Sequence, residues 1–141
     1  MKYYSQTVLF FSLLLLFGMS CAKDAPVNNN ASINDIVKSG TWQISLYNDK
    51  GVVKTSNFAG YNFAFNSNGT VTATGASNVS GTWSVISDSG KQKVLLNFGS
   101  VSLFNELNED WEVASKTATE INLAHVSGGD GGASQLTLKK R

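Results

Sequence analysis

The sequence predicts an all-β fold, a single antiparallel eight-stranded up-and-down barrel with one short helix ahead of its first strand. Three observations carry that prediction. Short runs rich in Val, Thr and aromatic residues succeed one another at close spacing with turn residues between them. Turns fall to Gly and Asn, since the 141 residues include 13 Gly and one Pro. The triplet Gly40-Thr41-Trp42 recurs as Gly81-Thr82-Trp83, 41 residues later. A propeller would need several blades of about 40–45 residues, and the third tryptophan, in Asp110-Trp111, breaks the period. Two halves of one closed barrel explain the echo better. Trp42, Trp83 and Trp111 are therefore expected to be structural, a glycine before a tryptophan letting the backbone bend while the large ring covers a barrel end.

In chain order, residues 1–20 read as a cleaved signal peptide. Lys2 supplies the positive start, Val8 to Phe17 is apolar except for Ser12, and Gly18-Met19-Ser20 precedes Cys21. The apolar run is shorter than the roughly 20 residues a membrane-spanning helix needs. The segment resembles a lipobox, the motif cleaved just before a cysteine that carries diacylglycerol, with Gly18 where the motif usually has Leu. Cys21, the chain's single cysteine, is thus the expected lipidation site, and the membrane an expected partner through that anchor. Residues 21–31 form the lipidated N-terminus and a polar tether containing Pro26 and Asn28-Asn29-Asn30. Lys23-Asp24 is similar to the short charged signals that send some Gram-negative lipoproteins to the outer face of the outer membrane, with Ala25 in place of a second acidic residue. The expected location is the bacterial cell envelope, anchored to the outer membrane on its periplasmic or its surface face.

The barrel domain is expected over 32–141, within the size of one domain. Ser32 caps a helix through 33–38, Asp35 stands as a weak capping-box partner, and Gly40 lies near the stop. Strands are predicted at 41–47, 57–65, 69–75, 80–86, 92–98, 110–115, 119–125 and 134–139. The clearest hairpin joins Tyr61–Phe65 to Thr70–Thr74 through Asn66-Ser67-Asn68-Gly69, where Asn-Gly suits the two positive φ angles of a type I′ turn. Period-two alternation puts Tyr61, Phe63 and Phe65 on one face. Val101 to Asn108 fits a strand poorly and reads as a helical turn or a loop over one end. The glycine-rich stretch Ser127 to Gly132 reads as a hairpin connection, because no helix pattern follows it.

The order of short helix, Gly40-Thr41-Trp42, Gly60-Tyr61-Asn62-Phe63, Asn68-Gly69-Thr70-Val71, Gly81-Thr82-Trp83, Asp110-Trp111 and a basic last strand resembles lipocalins, in particular compact lipocalin-like lipoproteins of Gram-negative bacteria. The resemblance covers about Ile33 to Arg141. It implies that Lys139, Lys140 or Arg141 packs over Trp42. It also implies a barrel that either holds one small ligand or is filled by its own side chains.

Composition excludes several classes of function. The formal charge is +1, and the region after the leader balances ten basic against ten acidic side chains, which leaves no basic stripe for nucleic acid. One His and one Cys leave no Cys/His nucleophile pair and no Cys/His zinc set, so no catalytic residue, cofactor or metal is predicted. His125 follows Ile121 and Leu123 at period two and reads as a rim histidine. Glu106, Glu109, Asp110 and Glu112 read as decoration of a loop and a strand start. Two functions stay open. The barrel binds a small apolar or amphipathic ligand in a cavity lined by Tyr61, Phe63, Phe65 and His125, or it is a non-enzymatic structural or interaction protein that meets an envelope protein.

Cys21→Ala should abolish incorporation of labelled palmitate and either release the domain from membranes or leave the precursor uncleaved. Membrane retention equal to wild type on fractionation would refute the anchor.

Overall fold

The computed structural model of the chain describes residues 31–126, 128 and 132–141. The predicted signal peptide, Cys21, nearly all of the tether, and residues 127 and 129–131 of the glycine-rich connection lie outside the described residues.

Helix α1 covers Ile33–Lys38. Ser32 stays extended ahead of it, accepts the Asp35 N–H at 3.2 Å, and donates its hydroxyl to the Asp35 carboxylate at 2.6 Å. This reciprocal cap stabilises a helix too short to persist by propensity alone. Ile33, Ile36 and Val37, spaced three and four apart, bury one face against the barrel.

Among the described residues nine antiparallel strands follow: β1 (Thr41–Asp49), β2 (Val52–Val53), β3 (Asn62–Phe65), β4 (Thr70–Thr74), β5 (Asn78–Asp88), β6 (Lys91–Asn97), β7 (Asp110–Lys116), β8 (Glu120–Val126) and β9 (Ala133–Lys140). β2 pairs only with the end of β1, whereas β1 and β3 to β9 pair in sequence, and β9 returns to β1 from Trp42↔Lys140 to Asn48↔Gln135. The result is a closed eight-stranded antiparallel barrel with one short helix, the architecture the sequence predicts.

Two local expectations need correction. The run 57–65 is a strand only from Asn62, because Gly60 adopts φ +82° and turns the chain, while Thr55–Phe58 coils into a 3₁₀ turn. At the β3–β4 hairpin only Gly69 has positive φ, at +82°, so the turn is not type I′. Asn66 instead closes it, its carbonyl accepting the Gly69 N–H at 3.1 Å and its N–H donating to Thr70 O at 2.8 Å. Asn68 serves through its side chain, which accepts from Thr70 N at 3.1 Å and Thr70 Oγ1 at 2.7 Å. The 101–108 region does carry a 3₁₀ turn, Phe104–Leu107, with both terminal residues buried.

Alternation puts one side of each strand inside, and a β-bulge resets the phase in β1. Trp42 and Ile44 point inward, the register slips between Ile44 and Leu46, and Tyr47 rather than Leu46 is the next buried residue. Without the extra residue Tyr47 would face out. All three tryptophans are buried, and each indole N–H donates to a backbone carbonyl at a barrel end: Trp42 to Val37 at 2.8 Å, Trp83 to Asn66 at 3.0 Å and Trp111 to Leu107 at 3.0 Å. Gly81 is required by closeness, since a Cβ there would lie 2.5 Å from the Asn97 carbonyl and 2.7 Å from the Phe98 ring. Of the basic residues at the C-terminus, Lys140 reaches Ser39 at 3.0 Å, Arg141 reaches Asn62 at 3.3 Å, and Lys139 pairs with Glu120 at 3.4 Å.

Trp42→Ala or Trp83→Ala should destabilise the domain by about 3–5 kcal/mol, the range for deleting a large buried aromatic. Denaturant unfolding measures it, and a loss under about 1 kcal/mol at both sites would contradict their place in the core.

Candidate functional site

The barrel ends differ in chemistry. Helix α1 covers one, with Trp42 bonded to its last turn. Opposite it, the connections after β1 and β6 fold over the opening and insert Phe58, Phe104 and Leu107, all buried. Phe104 touches Phe58, Tyr61, Phe63 and Phe98 with ring centroids 5.0–6.3 Å apart. The sequence-predicted cavity residues Tyr61, Phe63 and Phe65 all point inward and are 8%, 2% and 5% exposed. Phe63 also meets Phe98 at 6.3 Å, Phe65 packs edge-on against Trp83 at 5.4 Å, and the hydroxyls of Tyr61 and Ser77 are hydrogen-bonded to each other at 3.0 Å. His125 stands apart from these three, near the end of β8, its ring 6.2 Å from that of Trp111.

Two polar clusters sit at the rim of this loop end. In the first, Lys54 bridges Asp49 at 2.8 Å and Glu106 at 3.2 Å, tying the connection after β1 to the 104–107 turn. Tyr47 donates its hydroxyl to the Glu106 carbonyl at 2.9 Å, and Ser134 donates to Asp49 at 3.2 Å. The hydrogen bond from Lys54 holds the Asp49 carboxyl below its ordinary range, and Asp49 in turn raises Lys54. Burial, then the Asp49 and Glu106 charges, pushes the Tyr47 phenol up to about 12.

In the second cluster both ring nitrogens of His125 face carboxylates: Nε2 lies 3.4 Å from Glu109 Oε2 and Nδ1 lies 3.1 Å from Asp110 Oδ1. Asp110 gives its other oxygen to Lys93 at 2.7 Å, and Lys93 also reaches Asp88 at 3.1 Å. The Lys93 hydrogen bond keeps the Asp110 carboxyl low. A cleft of about 310 Å³ opens here, lined in part by Lys93, Asp110, Glu112 and His125.

Of the four acidic residues noted in the sequence, three pair with lysines, Glu106 with Lys54, Asp110 with Lys93, and Glu112 with Lys91 at 2.9 Å, while Glu109 faces His125. Sequence reasoning missed Tyr47, Asp49, Lys54, Lys93 and Ser134. Only Asp49 and Lys54, on either side of the turn at Lys50-Gly51, are close enough in sequence to have been paired from it.

Stability should fall as pH rises from about 10 to about 12, because the unfolded tyrosine ionises near 10 while folded Tyr47 resists until about 12. Tyr47→Phe should flatten that part of the curve while costing about 0.5–1.5 kcal/mol at neutral pH through the lost hydrogen bond. Urea unfolding of both proteins across that range checks it, and equal alkaline slopes would refute it.

No family model matches the chain, and no curated protein matches it. Among solved structures it is similar to the crystal structure of a DUF4847 family protein from Bacteroides vulgatus, with a TM-score of 0.55 and 21% identity, over 78% of this chain and 98% of that one. At that identity the likeness shows a common barrel fold.

Proposed function

We propose that this chain is a lipid-anchored envelope protein of lipocalin-like build, without enzymatic activity. Its barrel is filled by its own side chains, and it acts by presenting its rim and outer surface to another envelope component. The contact of Phe104 with Phe58, Tyr61, Phe63 and Phe98 carries the reading. An eight-stranded barrel has room for side chains or for one small ligand, and here rings from opposite walls meet in the middle. A ligand would have to displace Phe104 and the turn that holds it. The anchor is supported by the leader pattern and by Cys21 directly after it. Absence of catalysis is supported by the single His and Cys, and by rim lysines that are engaged in ion pairs.

A fluorescent fatty-acid probe tests this against the ligand carrier. Wild type should take up none, whereas Phe104→Ala should cost about 3–5 kcal/mol and open a cavity in which the probe brightens. Saturable one-to-one uptake by wild type would overturn the filled-barrel reading and restore the carrier.

A further inference from the structure

We infer that the helix α1 end of the barrel is a docking face for a membrane surface carrying anionic phospholipid, with Lys116, Lys140 and Arg141 meeting the headgroup phosphates. This face depends on the lipid anchor proposed above, and it sets which way up the anchored domain stands. Basic and acidic side chains balance along the sequence, but the fold sorts them. Lys38 belongs to α1, Lys116 donates to the Ala31 carbonyl at 2.6 Å, Lys140 donates to Ser39 Oγ at 3.0 Å, and the Arg141 N–H donates to Thr41 O at 2.9 Å. Lys139 lies beside them, opposite Glu120 on β8. Among the described residues, Asp35 and Glu120 are the acids set against these five cations, and the β5–β6 hairpin adds one charge of each sign, Asp88 and Lys91. At the loop end the sign reverses, with Lys50 and Lys54 against Asp49, Glu106, Glu109 and Asp110.

How the cations are bonded separates this end from the rest of the surface. Lys54, Lys91 and Lys93 each meet a carboxylate, at 2.8 Å, 2.9 Å and 2.7 Å. Lys116, Lys140 and Arg141 instead donate to a backbone carbonyl, a hydroxyl and the amide oxygen of Asn62, the last at 3.3 Å. Neutral acceptors leave the positive charge to be met by a phosphate, which forms the stronger charge-assisted bonds. Asp35, the acid of helix α1, is committed elsewhere: it accepts the Ser32 hydroxyl at 2.6 Å and lies 3.5 Å from Lys38. Beside Lys140 a groove of about 340 Å³ is lined in part by Ala31, Ile36 and Ala118. An apolar hollow next to a cation matches what a phospholipid surface presents, phosphate above and glycerol and acyl carbon below.

The length of chain between anchor and domain favours the same orientation. Ten residues lead from Cys21 to Ala31, and at no more than about 3.3–3.6 Å each they keep the α1 end within about 35 Å of the lipid. β1 runs nine residues from this end to the other, about 30 Å at ~3.4 Å per residue, so contact through the loop end would use most of that reach. Each Lys or Arg close to an anionic bilayer strengthens binding about fivefold at moderate salt. The anchor supplies the local concentration that makes so weak a contact effective.

A nitrobenzoxadiazole fluorophore on Ala118→Cys tests the face, because lipidation consumes the thiol of Cys21, the chain's single cysteine. The lipidated protein is placed in vesicles of phosphatidylcholine, alone or mixed with phosphatidylglycerol. On the mixed vesicles the emission from position 118 should shift to the blue and be quenched by spin-labelled lipid, while the same fluorophore on Val101→Cys, at the loop end, should show neither change. The response should be absent on phosphatidylcholine, vanish in about 0.5 M salt, and be lost when Lys116→Gln, Lys140→Gln and Arg141→Gln are combined. Lys116→Arg with Lys140→Arg should retain it, and circular dichroism verifies the fold of each variant. In parallel, the mature chain carrying Cys21→Ser is titrated with the same vesicles, where the mixed lipid should bind at least tenfold better than phosphatidylcholine and the triple substitution should remove that preference. A missing palmitate label together with this preference would refute the anchor and leave the docking face standing. A response at 118 that is equal on the two lipids, unchanged by the triple substitution or matched at 101 would overturn the face, as would no response on mixed vesicles in both forms of the chain.

Discussion

Closure of β9 onto β1 is the constraint from which the rest of the structure follows. Once Trp42 pairs with Lys140 and Asn48 with Gln135, the sheet has no free edge around its circumference and encloses an interior of set width. That interior must be filled, or its lining loses the contacts that packing supplies. Aromatic residues fill it: Tyr47, Tyr61, Phe63, Phe65, Phe98 and the three tryptophans all come from strands or strand ends and meet largely edge to face. Closure also requires bends. The bulge in β1 supplies one, and its second effect is to return a large ring, that of Tyr47, to the inside.

A closed barrel still has two open ends, and here each is sealed by a segment hydrogen-bonded to an indole. A buried indole N–H without a partner would be costly, so each tryptophan both fills volume and fixes the carbonyl it bonds. Val37 belongs to helix α1, Asn66 to the β3–β4 turn, and Leu107 to the 104–107 turn. The charged residues are then left for the rim and the outer wall, where Asp49, Lys54 and Glu106, and again Asp88, Lys93 and Asp110, form partly exposed networks. Exposed pairs of this kind contribute little stability singly, and their use is to set which connection lies against which.

What was legible in the sequence is what is written locally. Ser32 with Asp35 marks the helix cap, and alternation marks the inward rows of β3, β4 and β8, including the placement of His125 on the row of Ile121 and Leu123. The two Gly-Thr-Trp triplets marked strands of one closed sheet. Features set by partners were not legible. The type I′ expectation failed because Asn68 is drawn to Thr70 through its side chain, and the 57–65 run failed because the left-handed backbone at Gly60 interrupts it. The bulge in β1 depends on its register with β9, about 90 residues away in sequence. For the same reason the meeting of His125 with Glu109 and Asp110 could not be read, since it requires the pairing of β7 with β8.

Whether the loop end is a gate or a seal turns on how firmly the 98–109 connection is held, and its backbone answers that. Leu103 sits at φ +72°, a conformation that a branched side chain adopts only under compulsion, at a cost of about 1–3 kcal/mol. Such strain persists where the surroundings over-determine it, and here they do so from several directions. Asn108 accepts the Phe98 N–H at 2.6 Å and donates to Gly99 O at 2.7 Å, pinching the two ends of the connection together. Asn105 N–H donates to Val101 O at 2.8 Å, Tyr47 bonds the carbonyl of Glu106, and Trp111 bonds that of Leu107. A flap meant to open would need few such ties, because each is lost on opening while the buried Phe104 and Leu107 are exposed to water. The connection is therefore built as part of the core, and the charged side chains of Asp49, Lys54 and Glu106 are left on the rim that this closure creates.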